Sequence, residues 1–196
     1  IMPSLVGSEM CIRDRDMDGL VCISADHYGG AVQATEYLCK LGHCKIGLLS
    51  GRFSPQVSEA RIEGFVKTLA KYDIPVDDRF IADIEPALED GEEIMTRMLR
   101  EVDRPTAFFC TNDTIAAGAM KAVTRAGLRV PEDIAIIGFD DSYISRVVEP
   151  ELTTVRIDAA KMGCLAMQTL FDLIAGMPVE KAHIQIPTEL IVRGTA

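Results

Sequence analysis

Short, wholly apolar runs alternate along this chain with stretches whose apolar residues recur every three or four positions, and that alternation leaves few architectures open. The runs include Leu20-Val21-Cys22-Ile23, Lys45-Ile46-Gly47-Leu48-Leu49, Thr106-Ala107-Phe108-Phe109-Cys110 and Ile134-Ala135-Ile136-Ile137-Gly138-Phe139. A strand apolar on both sides must be covered on both faces. Strands separated by helical patterns are joined by crossovers, which makes them parallel. The fold class expected is therefore α/β, built on a doubly wound parallel sheet. In such sheets ligands sit beyond the carboxyl ends of the strands, so the residues just after each run matter most.

The helices between the runs carry their own punctuation. Asp26 caps a helix to about Leu41, with Gly42 as the left-handed residue after it. Ser50-Gly51 opens a turn before a helix from about Ser58 to Tyr72, which spaces Ile62, Phe65, Val66 and Leu69 along one face. Arg79 to Ala82 forms a short strand. The helix from about Leu88 to Val102 begins with Glu89, Asp90, Glu92 and Glu93 and ends with Arg97 and Arg100, which suits its dipole. Asp113 caps a helix that Gly127 ends. Thr153 to Arg156 is extended, a helix runs from Ala159 to Ala175 before Gly176 and Pro178, and His183–Ile186 and Leu190–Val192 are extended.

Composition narrows the function. Thirty Asp and Glu oppose 20 Lys and Arg, a net charge of −10. An acidic surface repels phosphates, so these residues are a poor nucleic-acid binder. No apolar run approaches about 18 residues, so no membrane span is expected. The odd set Cys22, Cys39, Cys44, Cys110 and Cys164 reads as buried reduced thiols of a cytoplasmic protein, not as a disulfide framework. Residues 1–15 stand apart. They lack the regions of a signal peptide, and Glu9–Arg15 back-translates to a string resembling a sequencing-library adapter. They read as a non-native leader at the edge of a gene truncated upstream.

No G-x-S-x-G elbow, P-loop, H-E-x-x-H or G-x-G-x-x-G occurs, so no enzyme is expected. A phosphotransfer role for Asp140 and Asp141 lacks a Lys–Thr set. His27, His43 and His183 have no nucleophile partnered by spacing. Cys39, His43 and Cys44 lack a second ligand pair for zinc, and the acidic run Glu85–Glu93 reads as a solvated helix start. Neither a metal nor a cofactor is expected. What remains lies at the strand ends. Asp113 and Asp141 read as helix caps. Arg61, Asn112 and Asp140 offer a forked donor, an amide and an acceptor, a set that suits the hydroxyls of a sugar or other polyol.

Several segments resemble a known family: YLCKLGHCKIGLLSG (Tyr37–Gly51), EARIEGF (Glu59–Phe65), RPTAFFCTNDTIAAGAMKAVTRAGLRVPEDIAIIGFDD (Arg104–Asp141), PELTTVRID (Pro150–Asp158) and PTELIVRGT (Pro187–Thr195). They resemble the effector-binding core of the lactose/galactose repressor (LacI/GalR) family. The resemblance implies a type I periplasmic-binding-protein-like fold of two lobes, with an effector held in the cleft between them. Arg61 matches the family's cleft arginine, Asn112 its sugar-hydroxyl-binding asparagine and Asp140 its cleft aspartate. The sequence departs from the pattern in having no aromatic near Glu85-Pro86. Ile157 and Ala159 also stand where some members place polar or aromatic cleft residues.

The same resemblance assigns residues 27–155 and 177–196 to the C-terminal lobe, and 16–26 and 156–176 to remnants of the N-terminal lobe. It implies a cytoplasmic homodimer that binds a small effector, a sugar by default, and reaches operator DNA through a helix-turn-helix outside these residues. The alternative on the same fold is a periplasmic sugar-binding protein of a transport system. With so little of one lobe present, the helix after Ala159 is expected to repack, self-associate or be poorly held. This chain alone is then expected to bind effector weakly or not at all.

Overall fold

The computed structural model describes residues 21–177 and 183–196. The leader, Leu20 and Pro178 fall outside the described residues. The element order is β1 (Cys22–Ala25), α1 (His27–Lys40), β2 (Ile46–Gly51), α2 (Pro55–Lys71), β3 (Ile81–Ile84), α3 (Leu88–Met98), β4 (Ala107–Cys110), α4 (Asp113–Arg125), β5 (Ala135–Asp140), β6 (Thr153–Arg156), α5 (Ala159–Ile174), β7 (His183–Ile186) and β8 (Glu189–Ile191). Six strands form the main sheet in the order β3-β2-β4-β5-β6-β8. All neighbours in it are parallel except β8, which runs antiparallel to β6. β1 and β7 form a separate parallel pair.

The apolar runs behave as a sheet covered on both sides requires. Along β4, Ala107 and Phe109 join one core with Ala31, Leu38, Phe65 and Leu69 from α1 and α2. Phe108 and Cys110 join the opposite core with Met95, Met98, Ala116, Ala119 and Val123 from α3 and α4. β5 repeats the alternation, with Ala135, Ile137 and Phe139 on the first side and Ile136 on the second. Successive side chains of a strand point to opposite faces, so one short apolar run serves two cores. The fold is the doubly wound α/β sheet expected from the sequence.

Several boundaries differ for identifiable reasons. Ser50 and Gly51 do not open a turn but extend β2, because they pair with Asp83 and Ile84 of β3 and because Gly51 N donates to Thr111 Oγ1 at 2.7 Å. α2 begins at Pro55, three residues before Ser58, since proline at the first helical position has no N–H to satisfy and a φ already suited to the helix. The Asp77 carboxylate accepts from Arg79 N, so residues 78–80 form a 3-10 turn and the strand starts only at Ile81. α3 stops at Met98 instead of Val102, whose side chain lies fully in solvent and packs on nothing. Gly42 and Gly127 end α1 and α4 with φ of 91° and 74°, as expected.

α5 is well formed, its first turn capped by the Asp158 carboxylate on Lys161 N at 2.9 Å. Yet Thr169 is its one buried residue among those described. Met167, Leu170, Phe171, Leu173 and Ile174 are exposed, and the helix packs on β1. The junction between the small pair and the main sheet is tied by backbone. Asp26 N donates to Ile186 O at 2.8 Å, and Thr188 Oγ1 donates to Asp26 O. Gln33 on α1 donates to Thr188 O and accepts from Leu190 N.

α3 and α4 approach closely through Gly91 and Gly118. A Cβ on Gly118 would collide with the backbone carbonyl of Leu88, and one on Gly91 would lie 2.5 Å from Ile115 O. Backbone cannot yield as a flexible side-chain tip can. Gly118→Ala is therefore expected to lower stability by about 1–3 kcal/mol despite alanine's better helix propensity. Urea unfolding checks this, and an unchanged or raised midpoint would contradict the packing described.

Candidate functional site

β2, β4 and β5 end side by side, and the residues that follow them converge on one guanidinium. Arg61 sits on the inner face of α2 and is only 3% exposed. Taking such a charge out of water is costly unless every side of it finds a partner. Its Cζ lies 3.9 Å from the ring centroid of Phe139 and 5.0 Å from that of Phe53. A desolvated contact of this cation–π kind contributes roughly 2 kcal/mol. In the plane of the group, NH1 donates to Thr111 O, and NH2 donates to Asp140 Oδ1 at 3.3 Å. Nε and NH2 lie 3.4 Å and 3.2 Å from His27 Nδ1.

The backbone places Asp140 unusually. It has φ 109° and is followed by Asp141 at φ 51°. Non-glycine residues at such φ cost about 1–3 kcal/mol and persist where the surroundings over-determine them. The two reversals send consecutive carboxylates different ways. Asp140 meets Arg61 and keeps 37% of its side chain in contact with solvent. Its pKa is pushed up to about 6, mainly by loss of hydration, with Arg61 pulling the other way and the Asp113 carboxylate adding to the rise.

Asp141 is turned inward. Burial would raise its carboxyl, but hydrogen bonds from Arg193 and Arg156 outweigh that and hold it at about 2. Arg193 NH2 and Arg156 Nε reach it at 2.5 and 2.7 Å, and Arg146 NH2 at 3.4 Å.

Neither Asp113 nor Asp141 is the helix cap that the sequence suggested. The cap of α4 is Asn112, whose Oδ1 accepts from Ile115 N at 2.8 Å. Asp113 is the first helical residue, and its buried carboxylate accepts from Thr154 Oγ1 at 2.5 Å and Ser142 N at 2.6 Å. Burial raises its pKa, against those hydrogen bonds. Asp113 thus ties β6 and the loop after β5 to α4. Of the three residues chosen from sequence, Arg61 and Asp140 touch. Asn112 is buried beside them, one residue after the Thr111 carbonyl that Arg61 uses, and its oxygen is engaged in the cap.

Sequence reasoning missed His27, Thr111, Phe139 and Phe53. His27 is the first residue after the Asp26 cap at the end of β1, a strand-end position like those of Asn112 and Asp140, and the spacing to a nucleophile that the sequence lacks is no guide to it. It is 7% exposed, its ring lies 6.1 Å from that of Phe139, and its pKa is lowered to about 3 by burial and then by the Arg61 charge. Since Arg61 can only donate, His27 Nδ1 accepts and the proton resides on Nε2. That Nε2 is buried without a hydrogen-bond partner among the described residues, which costs about 1–3 kcal/mol.

The cysteines correct a second expectation. Of those described, only Cys110 is buried, and burial drives its thiol pKa up. Cys22 and Cys39 are half-buried, while Cys44 and Cys164 are exposed. His43 Nδ1 lies 2.8 Å from Thr106 Oγ1. No group of His, Cys, Asp and Glu placed to hold a metal occurs among the described residues, and no helix there is long and apolar enough to cross a membrane.

A profile of the periplasmic binding protein-like domain matches residues 35–196. The chain belongs to that family. Its form is that of the effector-binding domain of LacI/GalR regulators. The HTH-type transcriptional repressor PurR of Pasteurella multocida is 38% identical over 174 residues, which cover 87% of this chain and 52% of that protein. A LacI-family regulatory protein from Chloroflexus aggregans superposes with a TM-score of 0.87 at 32% identity, covering 93% of this chain and 65% of that one. A LacI-family regulator from Enterococcus faecium with bound ribose gives 0.83 at 27% identity, covering 92% of this chain and 67% of that one. The chain spans about half the length of the curated relatives it matches.

The departures from the LacI/GalR pattern have structural counterparts. Ile84 turns partly into the core under α3, and Glu85 pairs at the surface with Arg52 at 3.0 Å. Ile157 packs partly on the core under α1 and α2, and Ala159 is exposed.

The two aspartates should act oppositely on stability. Asp141, with its pKa depressed from 3.8 to about 2, contributes stability present above pH 3.8 and lost as pH falls through 2. That is about 2 kcal/mol. Asp140, raised from 3.8 to about 6, contributes stability complete below pH 3.8 and lost as pH rises through 6. Unfolding free energy measured in urea is expected to climb between pH 2 and 4 and to be drawn down between 4 and 6. Asp140→Asn should reduce the second slope, leaving the share of the buried Asp113, and Asp141→Asn should reduce the first, leaving the share of Glu36 and Asp77, whose carboxyls are also held low by basic partners. Profiles parallel to that of the unmodified chain would contradict both assignments.

Proposed function

We propose that this chain is the effector-sensing part of a LacI-type transcription regulator, and that Arg61, Asn112 and Asp140 form its side of the effector cleft. The observation that carries the reading is the Arg61–Asp140 pair stacked on Phe139 at the strand ends, the one place where sheet topology puts ligands. A fixed guanidinium and a carboxylate with over a third of its surface open provide a donor and an acceptor beside aromatic faces. Sugar hydroxyls need that combination, and the Enterococcus faecium relative holds ribose. An enzymatic role has no support in the relatives, which are regulators. The transport reading is not favoured for the same reason.

Residues 27–155 and 177–196 act as the C-terminal lobe, and 16–26 and 156–176 belong to the N-terminal lobe. The exposed apolar face of α5 supports that division, because a helix carrying Leu170, Phe171 and Ile174 at its surface is suited to burial against further structure. The complete regulator works as a cytoplasmic homodimer whose helix-turn-helix heads read operator DNA. Effector binds one lobe arrangement better than the other, and that difference in affinity shifts the DNA-competent population.

Thermal unfolding of the complete regulator against pentoses, hexoses, glycosides and nucleobases tests the reading. A ligand at 100 times its Kd adds about 2.7 kcal/mol, visible as a shift of several degrees. The shift is expected with a sugar and should vanish in Arg61→Lys and in Asp140→Asn. No shift with any sugar would remove the sugar assignment. A shift that survives both substitutions would remove the site.

A further inference from the structure

We propose that His27 is a positioning residue for the effector site, its Nδ1 being the fixed acceptor that holds the Arg61 guanidinium in register with Asp140. The proposal rests on the reading of Arg61 and Asp140 as effector-binding groups, and adds to it a residue on a different element. His27 begins α1, and its backbone is fixed at the junction between the small strand pair and the main sheet. The Asp26 carboxylate accepts from Gly29 N at 2.8 Å, Asp26 N donates to Ile186 O, and Thr188 Oγ1 donates to Asp26 O. The ring is packed against Phe139. An acceptor anchored in this way cannot follow the guanidinium, so the guanidinium must follow it.

Acceptors from different elements meet Arg61, among them Thr111 O after β4, Asp140 Oδ1 at the end of β5 and His27 Nδ1 on α1. NH2 is shared between His27 at 3.2 Å and Asp140 at 3.3 Å. Without the imidazole, the guanidinium loses the acceptor that NH2 shares with Asp140, and NH2 can close fully on that carboxylate. That closure would tighten the bond that Asp140 Oδ1 already accepts and leave the carboxylate less available to a ligand hydroxyl. His27 therefore restrains Arg61 and keeps Asp140 available. The orphaned Nε2 supports the assignment. An apolar side chain would fill the same space beside Phe139 without stranding a donor, so what distinguishes the imidazole here is the acceptor at Nδ1.

The test compares the unmodified chain with His27→Leu, which keeps apolar volume, and His27→Asn, whose Oδ1 can sit where Nδ1 does. In the unmodified chain, imidazole nitrogen shifts should show a neutral ring protonated on Nε2, and the Arg61 Nε–H should exchange slowly. In His27→Leu that exchange is expected to quicken at least about tenfold, and the affinity of the complete regulator for its sugar to fall at least about tenfold. His27→Asn should restore most of both. A proton on Nδ1, unchanged exchange in His27→Leu, or equal impairment in the Leu and Asn variants would overturn the proposal. If no sugar binds the unmodified regulator, the effector reading fails, while Arg61 exchange still decides the role of His27. Should His27→Leu not fold, the tautomer and the Asn variant decide it.

Discussion

A guanidinium buried to 3% exposure is an unstable element unless its surroundings are built around it, and much of this fold's upper rim meets that requirement. Phe139 supplies the face beneath Arg61, and it can do so because β5 alternates sides and sends Phe139 toward α1 and α2. Thr111 supplies a carbonyl because β4 ends one residue earlier, at Cys110. Asp140 supplies charge because the chain accepts a positive φ at the last residue of β5. Displacing any of these would leave a charge in low dielectric without full compensation, a loss larger than most single contacts contribute. The register of the parallel sheet and the chemistry of its rim are in this sense one constraint.

The second aspartate extends the same rim into the C-terminus. Asp141 binds Arg193, which also donates to Leu152 O at 2.8 Å and to Ser145 Oγ at 3.1 Å. Two residues later Thr195 accepts from Thr153 N and donates to Ile136 O at 2.6 Å, stitching the final turn across β5 and β6. The tail is thus a tie that holds the strand ends bearing Asp140, which explains why Thr195 is fully buried and Arg193 half-buried in a run as polar as Arg193-Gly194-Thr195. Adjacent carboxylates with pKa values pushed to opposite sides of normal follow from this division of labour. One is enclosed by arginines, and the other pairs with Arg61 while keeping over a third of its side chain in solvent.

The architecture was legible in the sequence because it depends on periodicity, which is local. β6 was placed without error, and the parallel sheet followed from apolar runs such as Ala107–Cys110 that only a doubly covered strand tolerates. Boundaries failed where a tertiary contact outvoted local preference, as when pairing with β3 drew Ser50 and Gly51 into β2. Capping failed by one residue at Asn112 and Asp113, since either side chain can cap and only the distant Thr154 and Ser142 decide which does. Asp140 stands out by its place at the end of a strand and Arg61 by the helix that follows one, and the structure brings the two into contact. His27 does not stand out, because its partner lies 34 residues away and an acceptor of this kind leaves no spacing to detect.

In the site proposed above, Arg61 and Asp140 act on ligand as one unit. A double-mutant cycle on sugar affinity, measured calorimetrically with Arg61→Lys, Asp140→Asn and the pair together, addresses it most directly. Groups in direct contact should be non-additive, with a coupling of about 1 kcal/mol or more, the second substitution costing little once the first is made. Strictly additive losses would mean that the two residues meet ligand independently, or meet none in common, and would contradict the site described here.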